Sequence, residues 1–335
     1  MRKRHTAYIL AFILLFAMAG HAFAAEKLIV YTSMKESLIG KLRDAFVKGN
    51  PGVEMDYQSA GAGKLMAKIA AERESGKILA DVIWTSEVPD FYKMRQDGIL
   101  EKYTSPTVKE ALNPFDDYDG SFTAARLGTL GIAYNTKFIK SAPVAWSDLT
   151  KPEYKGAFGI ANPALSGTSY MSVALLAQQF GWEFFNTLHA NGAKIGKGSG
   201  QVIDDTASGD LVASLAVDYI TFDKIAKGAP LALAYPQEML VVPSPIAIIK
   251  GSPNMATAKK FVDFILTKEA QTIIAGEGTL PVRSDVTVNV AVPGQFNIPA
   301  AADAMKRAMK VNYLDMIASK EKNVKQFTDI MQGKK

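Results

Sequence analysis

From residue 26 to residue 100 the chain switches back and forth between two hydrophobic periodicities. Residues 28–31 are a short β-branched and apolar run that predicts a strand. Residues 36–48 then carry Leu38, Ile39, Leu42, Ala45 and Phe46 at helical spacing, and Asn50, Pro51 and Gly52 break that helix. Residues 53–57 alternate like a second strand. The loop 59–63 opens a helix that runs to about Ser75 and is closed by Gly76. Residues 81–84 form a third, buried strand, followed by Thr85, Ser86 and a helix with Pro89 in its first turn. This βαβαβ order predicts a parallel sheet with right-handed crossovers.

The pattern is less regular over residues 103–119. Residues 124–135 read as a long strand that carries the chain elsewhere, and residues 146–149 and 152–156 lead into a strand at 157–161. An apolar helix is predicted from about Ser169 to Phe180. Gly198, Ser199 and Gly200 precede a short helix ending near Gly209, and strands are predicted at 213–219 and 231–235. Residues 241–250 are extended but contain Pro243 and Pro245. Paired helices follow at 257–266 and 268–276, with Phe261, Phe264 and Ile265 facing a core, and further helical packing elements at 300–311 and 320–331.

The strand ends share a chemistry. Thr32 and Ser33, Ser59 and Gly61, and Thr85 and Ser86 each stand immediately before a helix, with Trp84 closing the third strand. In a parallel sheet these ends lie on one edge, where open α/β sheets bind ligands. A fourth junction, Ser166, Gly167, Thr168 and Ser169, repeats the pattern with more hydroxyls than a cap needs. Helix starts of this kind present free N–H groups and a positive dipole end to an anion. The competing reading is structural: Ser33 and Glu36 have capping-box spacing, so Ser33 can simply cap its helix.

Charge and composition narrow the classes. The basic head Arg2, Lys3 and Arg4, an apolar run over residues 8–20 and the Ala22-Phe23-Ala24 sequence form a secretory signal peptide. Cleavage is expected after about Ala24, giving a soluble periplasmic protein. Removing the leader lowers the formal net charge from +5 to +2, which gives no basis for a nucleic-acid partner. About 310 residues remain, long for one core, so two lobes are expected. With no cysteine, disulfides and thiolate chemistry are excluded. No cofactor is indicated.

Catalytic patterns fail. Gln58 and Leu65 occupy positions where a phosphate-cradling P-loop needs Gly and a hydroxyl residue. There is no nucleophile elbow and no zinc-protease motif, and His189 follows an aromatic segment that reads as packing. Met66, Met171 and Phe185 read as core. Asp218 ends an apolar strand, where a bare charge is costly, so it meets either a structural partner or a ligand hydroxyl or ammonium. Glu238 either meets a ligand in the same way or is simply a solvated loop carboxylate. Arg126 either neutralises an anion or pairs with one of these acids.

Residues 29–33, 81–84, 131–135, 155–159 and 166–168, in this order and behind a leader, resemble the periplasmic solute-binding proteins of ABC importers, in the ferric-iron-binding-like group that also contains phosphonate and sugar-phosphate binders. The resemblance covers the chain to about residue 285. It implies an α/β, two-lobed type II periplasmic-binding-protein fold, each lobe a mixed, mostly parallel sheet flanked by helices, joined by two crossover strands. Lobe one is expected at 25–126 and 245–335, lobe two at 127–244. It further implies a non-enzymatic, monomeric protein that hands a small ligand to membrane permease subunits. Iron-binding members use adjacent tyrosines; here Ile220 follows Tyr219 and no tyrosine pair exists. A small anion, a phosphate ester or phosphonate, is therefore expected between Thr32, Ser33, Ser59, Gly61, Trp84, Ser86 and Arg126 on one side and Ser166, Gly167, Thr168, Ser169, Asp218, Tyr219 and Glu238 on the other. No resident metal is expected. Ferric iron, or a binding subunit that signals to a sensor, is the alternative.

Overall fold

β1 (Glu26–Thr32) buries Leu28 and Val30 completely and leads into α1 (Glu36–Gly49), whose Leu38, Ile39, Leu42 and Phe46 face inward. β2 (Val53–Ser59), α2 (Ala62–Glu74), β3 (Val82–Trp84) and α3 (Val88–Gln96) complete the predicted alternation. β1 is paired in parallel with β2 on one side and with β3 on the other, setting Leu28 opposite Met55 and Val30 opposite Val82. A computed structural model describes residues 26–115 and 117–334. The expected leader, residues 1–24, lies outside the described residues.

β4 (Thr123–Asn135) is buried along its whole length. After it come β5 (Phe158–Ala161), α4 (Gly167–Phe180), α5 (Glu183–Ala190), β6 (Lys194–Gly196), α6 (Ser199–Ser208), β7 (Ala213–Val217), α7 (Asp218–Ala226), β8 (Leu231–Ala234) and β9 (Leu240–Ile248). The chain closes with α8 (Met255–Ile265), α9 (Lys268–Gly276), a small hairpin of β10 (Ala291–Val292) and β11 (Phe296–Asn297), α10 (Ala301–Arg307) and α11 (Tyr313–Met331).

The main sheet runs β2-β1-β3-β9-β4-β7-β5-β6, with β8 pairing to β4. Parallel pairs lie at both ends, and the antiparallel strands β4 and β9 join the two halves. These are the two crossovers. Pro243 and Pro245 are tolerated in β9 because β3 reaches β9 only at Ile246–Ile248; before that, among the described residues, β9 has β4 alone as a strand partner. Gly131 of β4 is required by close approach: a Cβ there would stand 2.3 Å from the carbonyl oxygen of Ala234 in β8.

Three elements depart from expectation. The predicted strand over 213–219 stops at Val217, and Asp218 opens α7. α10 ends at Arg307, whereas α11 begins at Tyr313, earlier than its periodicity suggested. The tail also reaches across the molecule. Residues 295–309 hydrogen-bond to Leu233 and Met239, and α11 packs on α3, α4 and α5. Tyr170 of α4 donates to the Met316 carbonyl at 2.5 Å, and Phe327 meets Phe185 edge-on at 5.3 Å. Among the described residues no helix is long and apolar enough to cross a membrane.

Candidate functional site

Five strand-to-helix junctions converge on one cavity. The residues that precede α1, α2, α4, α6 and α7, namely Lys35, Gly61, Ser166, Gly198 and Val217, all line a space of about 230 Å³ between the two halves of the sheet. Each helix follows a strand whose C-terminal end lies at the cleft, so the sheet's topology aims all five N-termini the same way. Free N–H groups and positive dipole ends accumulate there.

Hydroxyls fill the wall between the helix starts. Ser33 Oγ accepts from the Ser86 amide at 3.2 Å, and Ser86 Oγ lies 2.9 Å from Ser244 Oγ. Ser33 does not cap α1: Lys35 holds the cap position, and Glu36 accepts instead from the Tyr57 hydroxyl. The predicted capping box therefore does not form, because the turn places Ser33 two positions before the cap and directs its hydroxyl at the Ser86 amide ahead of α3. Opposite, Ser166, Thr168 and Ser199 form a triangle of hydroxyls with sides of 3.0, 3.0 and 3.1 Å. Ser166 also caps α4, accepting from the Ser169 amide at 3.4 Å.

The floor is Arg126, buried to 1% exposure. Its guanidinium donates to Thr279 Oγ1 at 2.6 Å and to Asp218 Oδ1 at 3.4 Å, lies 3.4 Å from Ser86 Oγ, and stands 4.8 Å from the centre of the Tyr219 ring. Asp218 is fully buried and accepts from the Tyr219 and Thr129 amides at 2.7 and 2.8 Å and from the Thr129 and Thr279 hydroxyls. Burial raises its pKa, and the charge of Arg126 together with these donors works against that rise. Of the two readings open for each residue, the structure makes them a pair.

The lobes touch across the cavity. The Lys35 amide donates to the Tyr219 hydroxyl at 3.0 Å. A Cβ on Gly61 would lie 2.3 Å from the Leu165 carbonyl oxygen, and one on Gly63 2.2 Å from that of Ala164. Only glycine permits this approach.

The cavity brings together Ser33, Gly61, Ser86, Arg126, Ser166, Gly167, Thr168 and Tyr219. Six residues expected at the site turn away from it. Thr32 Oγ1 accepts from the Met34 amide, Ser59 donates to the Met34 carbonyl, and Ser169 donates to the Ala161 carbonyl. Trp84 is wholly buried in the sheet, Asp218 is consumed beneath the floor, and Glu238 offers its main-chain carbonyl to the Trp146 indole, outside the cavity lining. Lys35, Lys64, Lys197 and Ser199 also line the cavity. Of these, only Ser199 had a local signal, its place between two glycines at a helix start. A larger space of about 600 Å³ near Leu112, Val282, Val288 and Met305 is mainly apolar, and its Arg283 is engaged by Glu110 and Asp285. It lacks the polar convergence of the cleft.

Residues 77–317 match the family of bacterial extracellular solute-binding proteins, and the chain belongs to that family. It is 30% identical over 278 residues to an uncharacterised protein of Haemophilus influenzae, covering 78% of this chain and 79% of that one. It is 24% identical over 304 residues to a protein of Salmonella paratyphi A that carries the name of a 2-aminoethylphosphonate-binding periplasmic protein, covering 87% and 86%. The periplasmic binding protein AfuA from Actinobacillus pleuropneumoniae, solved with exogenous fructose-6-phosphate bound, superposes with a TM-score of 0.78 at 25% identity, covering 91% of this chain and 98% of that one. The fold is thus the two-lobed type II periplasmic-binding-protein fold.

Proposed function

We propose that this protein is the periplasmic receptor of an ABC importer, and that it captures a small phosphate ester or phosphonate in the cleft and delivers it to the membrane permease. The observation that carries the reading is the convergence of five helix N-termini and two sets of hydroxyls, one from each lobe, on a cavity with no carboxylate in its wall. Such donors hold an anion by geometry as well as by charge. The names borne by the phosphonate-binding relative and by AfuA point the same way. Lobe one is taken as residues 25–126 and 245–335 and lobe two as 127–244, with α11 laid across both. The protein acts by binding, not by turnover.

Iron suits this cleft less well. Burial pushes the Tyr219 phenol up to about 12, and its oxygen already accepts the Lys35 amide, so a phenolate ligand is expensive here. Thermal-shift screening of the mature chain tests the proposal. A phosphonate or phosphate ester present at about 100 times its Kd is expected to stabilise by about 2.7 kcal/mol. A shift with Fe(III) or a plain carboxylate, and none with any phosphonate or phosphate ester, would overturn it.

A further inference from the structure

The cleft is more positive than a single phosphonate needs. Lys35, Lys64 and Lys197 line it together with Arg126, and no Asp or Glu does. Arg126 is matched by Asp218 beneath the floor. Two carboxylates beside lining residues have partners of their own: Glu87, behind Gly167, pairs with Lys320, and Glu36 accepts from the Tyr57 hydroxyl. By contrast, none of the three lysine ammonium groups has an acidic partner among the described residues. Lys35 extends from lobe one across the cleft, so that its Nζ would stand 3.4 Å from a Cβ on Gly200, in the first turn of α6. That sets a cation against the positive end of a helix dipole, an unfavourable placement unless an anion lies between them.

This excess has a consequence for the ligand. A phosphonate or phosphate ester carries at most about two negative charges at neutral pH, and the helix starts and hydroxyls already receive it. An added ammonium would enter a wall of like charge with no carboxylate to meet it. An added carboxylate would find three uncommitted lysines.

We propose that the ligand carries a second anionic group, held at the rim of the cleft by Lys35, Lys64 and Lys197, so that the site selects an organic polyanion over a zwitterionic aminoalkylphosphonate. The inference rests on the anion-binding reading above and narrows it. All three lysines are exposed at the rim. Were they only steering charges, they would favour each anion in proportion to its charge, and that preference would fade as salt screens it.

Calorimetric titration of the mature protein in about 0.5 M salt, where the Debye length is about 4 Å, separates these cases with three probes on one two-carbon backbone: ethylphosphonate, 2-aminoethylphosphonate and phosphonoacetate. Phosphonoacetate is expected to bind at least about tenfold more tightly than ethylphosphonate, with 2-aminoethylphosphonate the weakest. In the double variant Lys35→Gln/Lys197→Gln, folded as judged by its thermal midpoint, the preference for phosphonoacetate over ethylphosphonate should fall towards one. An equal or tighter grip on 2-aminoethylphosphonate, or a preference that survives in the double variant, overturns the inference and leaves the anion receptor standing. If none of the probes binds and no sugar phosphate does, the receptor reading falls and takes the inference with it.

Discussion

Two charge clusters with buried acids flank the cleft, and they are built on opposite plans. In the first, one base serves one acid. Arg126 and Asp218 are joined by Thr279, whose hydroxyl accepts from the guanidinium and donates to the carboxylate, both at 2.6 Å, and backbone amides fill the remaining acceptor positions. In the second, one base serves two acids. Lys320 of α11 pairs with Glu87 and, at 2.6 Å, with Asp90, both at the start of α3, and its Nζ lies 5.6 Å from the centre of the Tyr170 ring of α4. Neither Glu87 Oε1 nor Asp90 Oδ2 has a well-aligned hydrogen-bond donor among the described residues. The first cluster is a closed ion pair and acts as a fixed floor. The second has one acid too many, and a proton is the cheapest way to settle it: burial and the neighbouring Asp90 push Glu87 up to about 8, against the pull of Lys320.

The largest effect should come from opening the closed pair. Arg126→Met leaves Asp218 buried without its counter-charge, a change expected to cost about 3–5 kcal/mol in urea unfolding. The double variant Arg126→Met/Asp218→Leu should recover much of that loss, since two apolar groups leave no uncompensated charge. A single-variant loss below about 1 kcal/mol would mean that Asp218 is not relying on Arg126, and the contrast between the clusters would fail.

A smaller, pH-dependent effect is expected from the second cluster. Burial and the mutual charge of the two acids hold a proton on the Glu87–Asp90 pair, chiefly on Glu87, well above the ordinary carboxylate range, whereas the unfolded chain releases it within that range. Between those limits the folded state binds more protons, so this contribution is fully present at low pH and is lost as pH rises through about 8. Glu87→Gln should remove it. The difference in unfolding free energy between variant and parent should change by about 2 kcal/mol between pH 6.5 and pH 8.5, with the parent losing ground. Parallel stability profiles would show that Glu87 is ionised throughout and that the second cluster is as closed as the first.

Most of the fold was legible because βαβ order is written in local periodicity, and each predicted strand-to-helix junction in the first hundred residues forms. The site was legible only in part. Hydroxyls beside helix starts are a local signal, yet one residue of register decides whether they face the cleft. Ser33 lines it, whereas Thr32 beside it is wholly buried. α7 escaped notice because Val217, Tyr219 and Ile220 extend the β7 apolar run, and the one countersign was an acid, Asp218, in a first helical turn. Lys35, Lys64 and Lys197 carry no local mark at all, since an uncommitted lysine in sequence looks like any surface lysine. Lys320 and Glu87 are more than two hundred positions apart, and only the return of α11 across both lobes brings them together.

The finest test of the contrast is to remove the surplus acid while keeping the titrating one. Asp90→Asn leaves Lys320 and Glu87 as one base and one acid, the arithmetic of the Arg126 cluster. Burial is the larger cause of the raised Glu87 pKa and the charge of Asp90 the next, so the substitution should lower the titration without abolishing it. The pH at which Glu87 releases its proton is expected to fall by about one unit, read from the stability profile or from the carboxyl resonance of Glu87. Stability at pH 7 should move by less than about 1 kcal/mol, because Glu87, freed of its neighbour's charge, ionises more readily and takes over the pairing with Lys320 that Asp90 gives up. A titration that stays where it was would assign the raised pKa to burial alone. The second cluster would then differ from the first not in its count of charges but in its want of hydrogen-bond donors, the Thr279 hydroxyl and backbone amides that Asp218 has and Glu87 lacks.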